Sequence, residues 1–342
     1  MRRRNFLKLA AGSFFLHPWR AQADHFVVSV DPWFVEFDLS SLSGRETSVG
    51  DFYVRNHFAD PAISGETSLR IEGEVEKAQQ VNEASLRQMP QQELRAVLEC
   101  AGNLVSTRAL ASNGAWKGWR LEDVLALARP APKGLFLHLE GADGYARSVP
   151  IERAKGNAML AYSLNGLPLT RNHGAPWRAF FPGWYGMDSV KWLKRIVVSE
   201  SPLPGNMKDY VEVGTEPSGQ PIRRPLPRVL VKSLITAPAD GSVLPRGTLK
   251  MHGLAWSGGA PIASVEVSDS FSNRWYPATL NLGGRYEWAL WEASLHLTRP
   301  GAVELKCRAR DGSGAVQPER RDPRRIDEYA ANWYHRIKCV VT

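Results

Sequence analysis

The sequence of 342 residues contains only three cysteines, Cys100, Cys307 and Cys339, and no two of them lie close together in the chain. This scarcity excludes CxxC redox or zinc motifs and CxxCH haem attachment, so we expect any haem in its chemistry to lie on a partner protein. The HExxH, GxSxG, Walker A and GxGxxG motifs are also absent. Eight scattered histidines predict no zinc site with three or four protein ligands.

Long apolar runs and basic stripes are missing as well. The longest apolar run, LAAGSFFL at residues 9–16, falls far short of the roughly 18 residues that indicate a membrane span. The formal net charge is +8, but five of the basic residues lie within the first 23 and no acidic residue accompanies them. Without a concentrated basic patch, the sequence predicts neither a membrane span nor a nucleic-acid partner.

The first 23 residues have the pattern of an export signal. Arg3 and Arg4 precede Asn5-Phe6-Leu7-Lys8, a short apolar stretch follows, and AQA at residues 21–23 is a small-x-small cleavage site. The paired arginines resemble the signal of the twin-arginine route, which carries folded proteins across the bacterial inner membrane. We therefore expect residues 1–23 to be removed and the protein to be periplasmic, with any cofactor inserted before export.

Hydrophobic patterning divides the remainder into two predicted domains. Residues 24–228 mix strand patterns at 69–75 and 134–141 with helical spacing at 85–94 and 120–130, and end in a linker or long ordered loop with six prolines (201–228). Residues 229–342 read as short strands with period-two alternation, which predicts an immunoglobulin-like β-sandwich. We therefore predict an α+β protein, in which Cys307 and Cys339 either form a disulfide or remain buried thiols.

Cys100 is the isolated thiol, at the end of the apolar run in AVLECAGN (residues 96–103). Three roles are open to it: a buried structural thiol, a nucleophile with an activating base, or a metal ligand. One thiolate cannot hold a first-row metal alone. It suffices when an organic cofactor supplies the other ligands, as the dithiolene of molybdopterin does for molybdenum.

Five ordered motifs bear on this choice, and together they closely resemble the sulfite oxidase family of molybdopterin enzymes. Late segments such as VKSLITAP, HGLAWSGG and CRARDGSGAVQP resemble the dimerisation domain that follows in that family, so the resemblance covers nearly the whole chain after residue 23. The five motifs are FYVRNH (52–57), LECAGN (98–103), AYSLNGLPL (161–169), HGAPWR (173–178) and PGWYGMDSVKWLKRI (182–196).

The resemblance implies a Mo-molybdopterin cofactor with Cys100 as the metal ligand. It implies catalytic roles for Cys100, Arg55 and Tyr210, with Arg55 facing the oxo group. Trp116 matches a family tryptophan near the metal, although a core tryptophan would fit the pattern too. A dianionic phosphate needs cationic donors, which Arg178 and Lys191 supply. The implied cofactor-binding residues are Tyr53, Val54, Arg55, Asn56, His57, Asp143, His173, Arg178, Ser189, Val190 and Lys191.

The sequence departs from the family's sulfite-binding pattern at two places. Val105 stands where sulfite-oxidising members carry an arginine after the cysteine, and Arg108 can replace it only if the loop takes another path. Asp327 stands near the position of a second arginine. A pocket for an anion thereby lacks two positive charges.

The implied function is a periplasmic, haem-free oxidoreductase that performs oxo transfer on a small sulfur-containing substrate, sulfite or a relative. Its expected electron acceptor is a c-type cytochrome, and its expected assembly is a homodimer or a heterodimer with a cytochrome subunit. A protein-bound or neutral sulfur substrate, a sulfoxide reductase running the same transfer in reverse, and a non-enzymatic exported scaffold are the alternatives.

Overall fold

The computed structural model describes residues 25–42, 44–63, 67–106, 108–204 and 210–342. The predicted export signal lies outside these ranges. Within them the backbone is mainly β, with two α-helices of four and six residues, so the predicted α+β class describes the fold only loosely. No helix in the described ranges has the length and apolarity needed to cross a membrane.

The N-terminal region, residues 25–199, contains three small sheets. One has the order β1-β2-β3 with β7 also paired to β2, the second β10-β9-β14-β4-β5, and the third β12-β11-β8-β6 with β13 paired to β11. The elements are β1 (His25–Val30), β2 (Trp33–Asp38), β3 (Val54–Arg55), β4 (Ser68–Gly73), β5 (Gln79–Asn82), α1 (Glu83–Leu86), β6 (Gln91–Glu99), β7 (Arg108–Ala109), β8 (Ala111–Arg120), α2 (Leu121–Ala126), β9 (Phe136–Gly141), β10 (Ala146–Pro150), β11 (Met159–Leu164), β12 (Leu167–Pro168), β13 (Arg178–Phe180) and β14 (Leu193–Ser199).

Two helical patterns had different outcomes. The helix expected within 120–130 is α2, which buries Leu121, Val124 and Leu125 against the core that β4, β9 and β14 share. The helix expected over 85–94 is wrong, because α1 ends at Leu86 and β6 begins at Gln91. Pro90 lies between them, and a proline has no N–H to continue a helical ladder.

The proline-rich segment is an ordered loop rather than a plain linker where the structure describes it, because it contains the β15–β16 hairpin. After it, the C-terminal sandwich (residues 232–341) packs the sheet β17-β19-β23-β22 against β18-β25-β24-β20-β21. The strands are β15 (Val211–Thr215), β16 (Pro221–Pro225), β17 (Lys232–Ala237), β18 (Val243–Leu244), β19 (Gly247–Trp256), β20 (Ile262–Asp269), β21 (Trp275–Pro277), β22 (Thr279–Asn281), β23 (Ala289–Leu297), β24 (Gly301–Asp311) and β25 (His335–Val341).

The two-sheet packing agrees with the predicted sandwich, whereas its immunoglobulin type stays a prediction. Cys307 and Cys339 are free thiols in the sandwich core, so the disulfide alternative is wrong. Cys307 lies opposite His335 and Cys339 opposite Val303, an offset of four residues between the neighbouring strands. At a strand rise of about 3.3 Å per residue this separates the thiols by about 13 Å, too far for a disulfide.

The two regions touch through a pair of glycines. A Cβ on Gly258 would lie 2.1 Å from the Gly183 carbonyl oxygen, and Gly183 has a φ of +79°. The Val229 N–H donates to that same oxygen at 3.0 Å, and the Val229 carbonyl accepts from Gly258 at 2.8 Å. Backbone therefore packs directly on backbone at this point, with no room for a side chain.

Candidate active site

A single deep pocket brings most of the sequence-predicted site residues together. It encloses about 620 Å³, including the open space at its mouth. Its walls come from β3, the end of β6, the β9–β10 turn, β13, the segment before β14 and the residue before β15. The lining residues are Tyr53, Arg55, Asn56, His57, Leu98, Cys100, Asp143, Tyr145, Arg178, Gly186, Met187, Ser189, Val190, Lys191, Trp192 and Tyr210.

Cys100 follows the last residue of β6, where the chain leaves the sheet in a tight turn. Its N–H donates to the Leu110 carbonyl at 2.9 Å, and its carbonyl accepts from Asn103 N–H at 3.0 Å. These bonds fix the backbone on both sides of the thiol. Burial raises the pKa of the Cys100 thiol, and the nearby Arg55 guanidinium opposes that rise.

Two cations on one wall have no carboxylate at ion-pair distance among the described residues, although the Asp60 and Asp143 charges act on Lys191 from farther away. Arg178 is buried and donates to the carbonyls of His173 (3.3 Å) and Ser189 (2.5 Å), and its Nε has no hydrogen-bond partner among the described atoms. The Lys191 ammonium donates to Asn56 Oδ1 and to the Asn172 carbonyl at 2.6 Å. Burial together with the neighbouring Arg178 charge lowers the pKa of Lys191 well below its usual range. Such a wall favours an anion.

An aromatic cluster also lines the pocket. The Tyr210 hydroxyl and His57 Nε2 form a hydrogen bond, and the His57 ring stacks on Tyr145 with centroids 5.2 Å apart. Burial and the Arg55 charge lower the pKa of His57 to about 4, so its imidazole is neutral at neutral pH. Burial also raises the pKa of Tyr210, which keeps the phenol protonated. This pair can hold or relay a proton.

Two predicted cofactor residues do not line the pocket. Val54 lies in β3 opposite Val35 and packs into a buried apolar cluster. His173 stands behind Arg178, with its Nε2 at 3.3 Å from the Val49 carbonyl oxygen. Its contribution to the wall is the backbone carbonyl that holds Arg178.

The residues left open by the sequence have clear positions. Trp116 is a core tryptophan, because it is fully buried, stacks on Phe180 at 4.2 Å and does not line the pocket. Arg108 does not take the place of the missing arginine. Its guanidinium lies over the Phe26 ring at 4.1 Å and within 3.6 Å of Glu36. Val105 packs beside the cluster that contains Tyr210, and Asp327 pairs with Arg325 at 2.7 Å.

Sequence reasoning missed an arginine pair next to the pocket. Arg147 and Arg153 both bind the fully buried Asp188 carboxylate, at 3.1 and 2.5 Å. Two guanidinium groups share one carboxylate, so one positive charge is left over, and Arg147 lies 5.3 Å from the Tyr210 ring centroid. Tyr145, one of five lining residues outside the predicted set, lies two positions after Asp143, whose carboxylate accepts from the Tyr145 N–H at 3.0 Å. That proximity in sequence was the only signal.

The donor set suits an anionic cofactor that brings its own metal. Among the described residues, no three His, Cys, Asp or Glu side chains cluster closely enough to hold a metal ion by themselves. Cys100 therefore offers a single thiolate, and a metal bound there needs its remaining ligands from an organic group. The orphaned Arg178 Nε and the uncompensated Lys191 ammonium are the donors that a phosphate on such a group requires.

Comparisons with known proteins show the family to which the chain belongs. A family profile described as "Oxidoreductase molybdopterin binding domain" matches residues 57–207, and one described as "Mo-co oxidoreductase dimerisation domain" matches residues 224–342. Chicken sulfite oxidase is 33% identical over 78% of this chain and 67% of its own length. Human mitochondrial sulfite oxidase is 31% identical over 85% of this chain, which spans 61% of the human protein.

A solved structure extends the likeness to the whole fold. The sulfane dehydrogenase SoxCD from Paracoccus pantotrophus superposes with a TM-score of 0.81 at 25% identity, covering 96% of this chain and 92% of that one. Fold and pocket thus define a molybdopterin-dependent oxidoreductase. The chain belongs to the sulfite oxidase family of these enzymes, and its cofactor is Mo-molybdopterin. Since it spans only about 60% of most animal relatives' length, substrate and partners are matters of proposal.

Proposed function

We propose that this protein is a periplasmic, haem-free oxidoreductase that oxidises a sulfur-containing compound and passes the electrons to a c-type cytochrome. The observation that carries the proposal is that Cys100, Arg55, His57 and Tyr210 line the same pocket as the buried cations Arg178 and Lys191. When bound, the molybdenum cofactor supplies two-electron oxo transfer. The twin-arginine pattern supports export, and the match to a dimerisation domain supports a dimer.

We assign residues 24–228 to the catalytic domain and residues 229–342 to the dimerisation domain. In the first, Cys100 would hold the metal, and Arg178 and Lys191 would bind the phosphate of the pterin. Asn56 orients the Lys191 ammonium through their hydrogen bond. Of the remaining predicted residues, all but Val54 and His173 line the pocket, and the carbonyls of Ser189 and His173 accept hydrogen bonds from Arg178.

The substrate end of the pocket would lie between Arg55 and Tyr210. Arg55 supplies a fixed positive charge for a developing or bound anion. The Tyr210 hydroxyl can donate a hydrogen bond to the substrate or accept one from it. Its hydrogen bond to the neutral His57 imidazole keeps the hydroxyl in place. Arg147 under the Tyr210 ring adds a second, more distant positive charge.

A larger or neutral sulfur substrate is the second candidate, and a specific observation favours it. Neither Val105 nor Asp327 brings a cation to the pocket, and Arg108 is held elsewhere by Phe26 and Glu36. Among the described cations, Arg55 is therefore the one that we place beside a small dianion at the substrate end. The relative with the matching fold throughout is a sulfane dehydrogenase by name, which is consistent with a substrate other than free sulfite.

Metal content tests the assignment of Cys100. In protein purified with its maturation machinery, the parent and a Cys307→Ala control should carry molybdenum, while Cys100→Ser should carry almost none. Cys307 is a thiol of the sandwich core, so its removal controls for losing a cysteine. Equal molybdenum in the parent and in Cys100→Ser would refute the proposed metal ligand.

Sulfite oxidation with cytochrome c as acceptor tests the substrate. We expect low activity in the parent and a rise of about tenfold in kcat/KM for Val105→Arg, because a charge-assisted pair contributes roughly 1.5–3 kcal/mol. Leu104→Arg is the matched control, since it adds the same charge one residue away on an exposed side chain. Fast sulfite oxidation by the parent, unchanged or slowed by Val105→Arg, would exclude Val105 as the specificity determinant.

A further inference from the structure

The turn that carries Cys100 is held by the C-terminal sandwich as well as by its own region. Lys232, the first residue of β17, donates from Nζ to Glu99 Oε1 at 2.5 Å and to the Asn103 carbonyl at 3.2 Å. Trp256, the last residue of β19, donates from Nε1 to Glu99 Oε2 at 2.7 Å. Two strands of the sandwich thus place donors on the residue immediately before the thiol.

The network closes on itself around the turn. Asn103 Nδ2 donates to Glu99 Oε1 at 2.9 Å, and its Oδ1 accepts from the Leu110 N–H at 2.9 Å. Both carboxylate oxygens of Glu99 and the ammonium of Lys232 are therefore satisfied by named partners. Glu99 is 0% exposed and Lys232 is 1% exposed, so this is an ion pair in a dry interior, where its geometry has few alternatives.

Backbone contacts from the sandwich bracket the same turn. The Ala330 N–H donates to the Ala101 carbonyl at 2.9 Å, directly after Cys100. The Val97 N–H of β6 donates to the Tyr286 carbonyl at 2.8 Å, three residues before it. The segment 97–103 is thereby held at four residues, 97, 99, 101 and 103, by residues far away in the chain.

We propose that Glu99, Lys232 and Trp256 form a clamp through which the C-terminal sandwich positions the Cys100 sulfur for its metal. The inference rests on the proposed role of Cys100 as the ligand, and it adds a function for the sandwich beyond dimerisation. All three are positioning residues, which act on the metal through Cys100. A single protein thiolate leaves the metal no second side chain to correct its placement, so the turn itself must be rigid.

A purely stabilising ion pair is the competing explanation, and it predicts different behaviour at the thiol. Breaking a clamp loosens the turn locally and frees Cys100, while Cys307 and Cys339 remain protected in the sandwich core. Loss of general stability opens the core and exposes all three thiols together. Alkylation of the full-length, cofactor-free chain by iodoacetamide, with the labelled residues identified by mass spectrometry, separates the two explanations.

We expect Trp256→Phe to raise the labelling rate of Cys100 by about threefold with Cys307 unchanged. Lys232→Met should raise the labelling rate of Cys100 by about tenfold more than it raises that of Cys307, because its global loss of stability acts on both thiols alike. Trp256→Phe removes the Nε1 donor and part of the ring system but keeps an aromatic side chain, so it still tests the clamp if Lys232→Met fails to fold. Arg45→Met is the matched control. Arg45 joins the same two regions through Glu287 and Asn281, away from the turn, and its loss should leave Cys100 labelling at the parent rate.

In metal-loaded protein, Trp256→Phe should change the electron paramagnetic resonance spectrum of the partly reduced molybdenum, and Arg45→Met should not. Parent-like Cys100 labelling in Trp256→Phe, or labelling of Cys307 in parallel with Cys100, would overturn the clamp. The labelling experiment uses the cofactor-free chain and needs no metal. It therefore tests the clamp even if Cys100→Ser retains molybdenum. That latter result would refute the proposed ligand alone.

Discussion

Two lysines sit deep in this protein with opposite surroundings. Lys232 in the clamp is matched by the Glu99 carboxylate at 2.5 Å and is sealed from solvent. Lys191 faces the cofactor pocket with an amide and a carbonyl oxygen as its acceptors, beside the equally unmatched Arg178. The Lys232 charge is neutralised by the Glu99 carboxylate. The Lys191 charge has no carboxylate at ion-pair distance among the described residues and is available to an anionic ligand. Unbalanced buried charge, rather than buried charge as such, marks the binding site.

The largest expected effect comes from unbalancing the clamp. Lys232→Met leaves the Glu99 carboxylate buried without its cation, and we expect the free energy of unfolding to fall by about 3–5 kcal/mol. The double variant Lys232→Met/Glu99→Leu removes both charges and should recover most of that loss. Urea unfolding of the cofactor-free chain measures both. If Lys232→Met were as stable as the parent, the Glu99 carboxylate would not need the Lys232 charge, and the proposed ion pair would be contradicted.

A buried base that stays neutral should give an intermediate effect. His335 Nδ1 accepts from the Ile235 N–H at 3.0 Å in the sandwich, and burial lowers its pKa to about 4. The unfolded chain takes up this proton below about pH 6.5, so the contribution is complete above pH 6.5 and is lost as the pH falls towards 4. We expect about 3 kcal/mol less stability at pH 4 from this group. Unfolding free energies of the parent and His335→Gln across that range measure it, and equal pH slopes would refute it.

The smallest effect should have the opposite sign to the first. Lys191→Met removes a buried ammonium that has no carboxylate at ion-pair distance among the described residues, and we expect the free energy of unfolding of the cofactor-free chain to rise by about 1–2 kcal/mol. The same variant should lose molybdopterin, measured by pterin fluorescence after release. If Lys191→Met destabilised the cofactor-free chain as much as Lys232→Met does, the contrast between the two lysines would be wrong.

The sequence predicted much of the site because the pocket residues come in short contiguous motifs. Residues 53–57 and 189–191 bring neighbouring side chains to one cavity. Once a motif was recognised in the sequence, most of its residues were therefore correctly expected to line the same pocket. Val54 is an exception, since alternate residues of a strand face opposite ways and its side chain enters the core. The motif could not show that division.

What the sequence could not predict depends on contacts between distant residues. The Asp188–Arg147–Arg153 cluster and the Glu99–Lys232 pair join positions 35 to 133 residues apart, and none of these residues has a distinctive neighbourhood in sequence. Periodicity also failed over 85–94, where spacing suited a helix but Pro90 and pairing with β8 made a strand. The hydrogen bonds and side-chain contacts between β6 and β8 stabilise the strand, and the spacing of apolar residues within 85–94 does not reveal them.

The contact between Gly183 and Gly258 has a consequence for how this protein can vary. Because two backbones meet there without room for a single methyl group, the regions cannot slide or rock against each other by small side-chain adjustments. Changes of specificity are then expected in the side chains that line the pocket rather than in the packing between the two regions. The close contact between the two glycines therefore fixes the position of the sandwich relative to the region that forms most of the pocket.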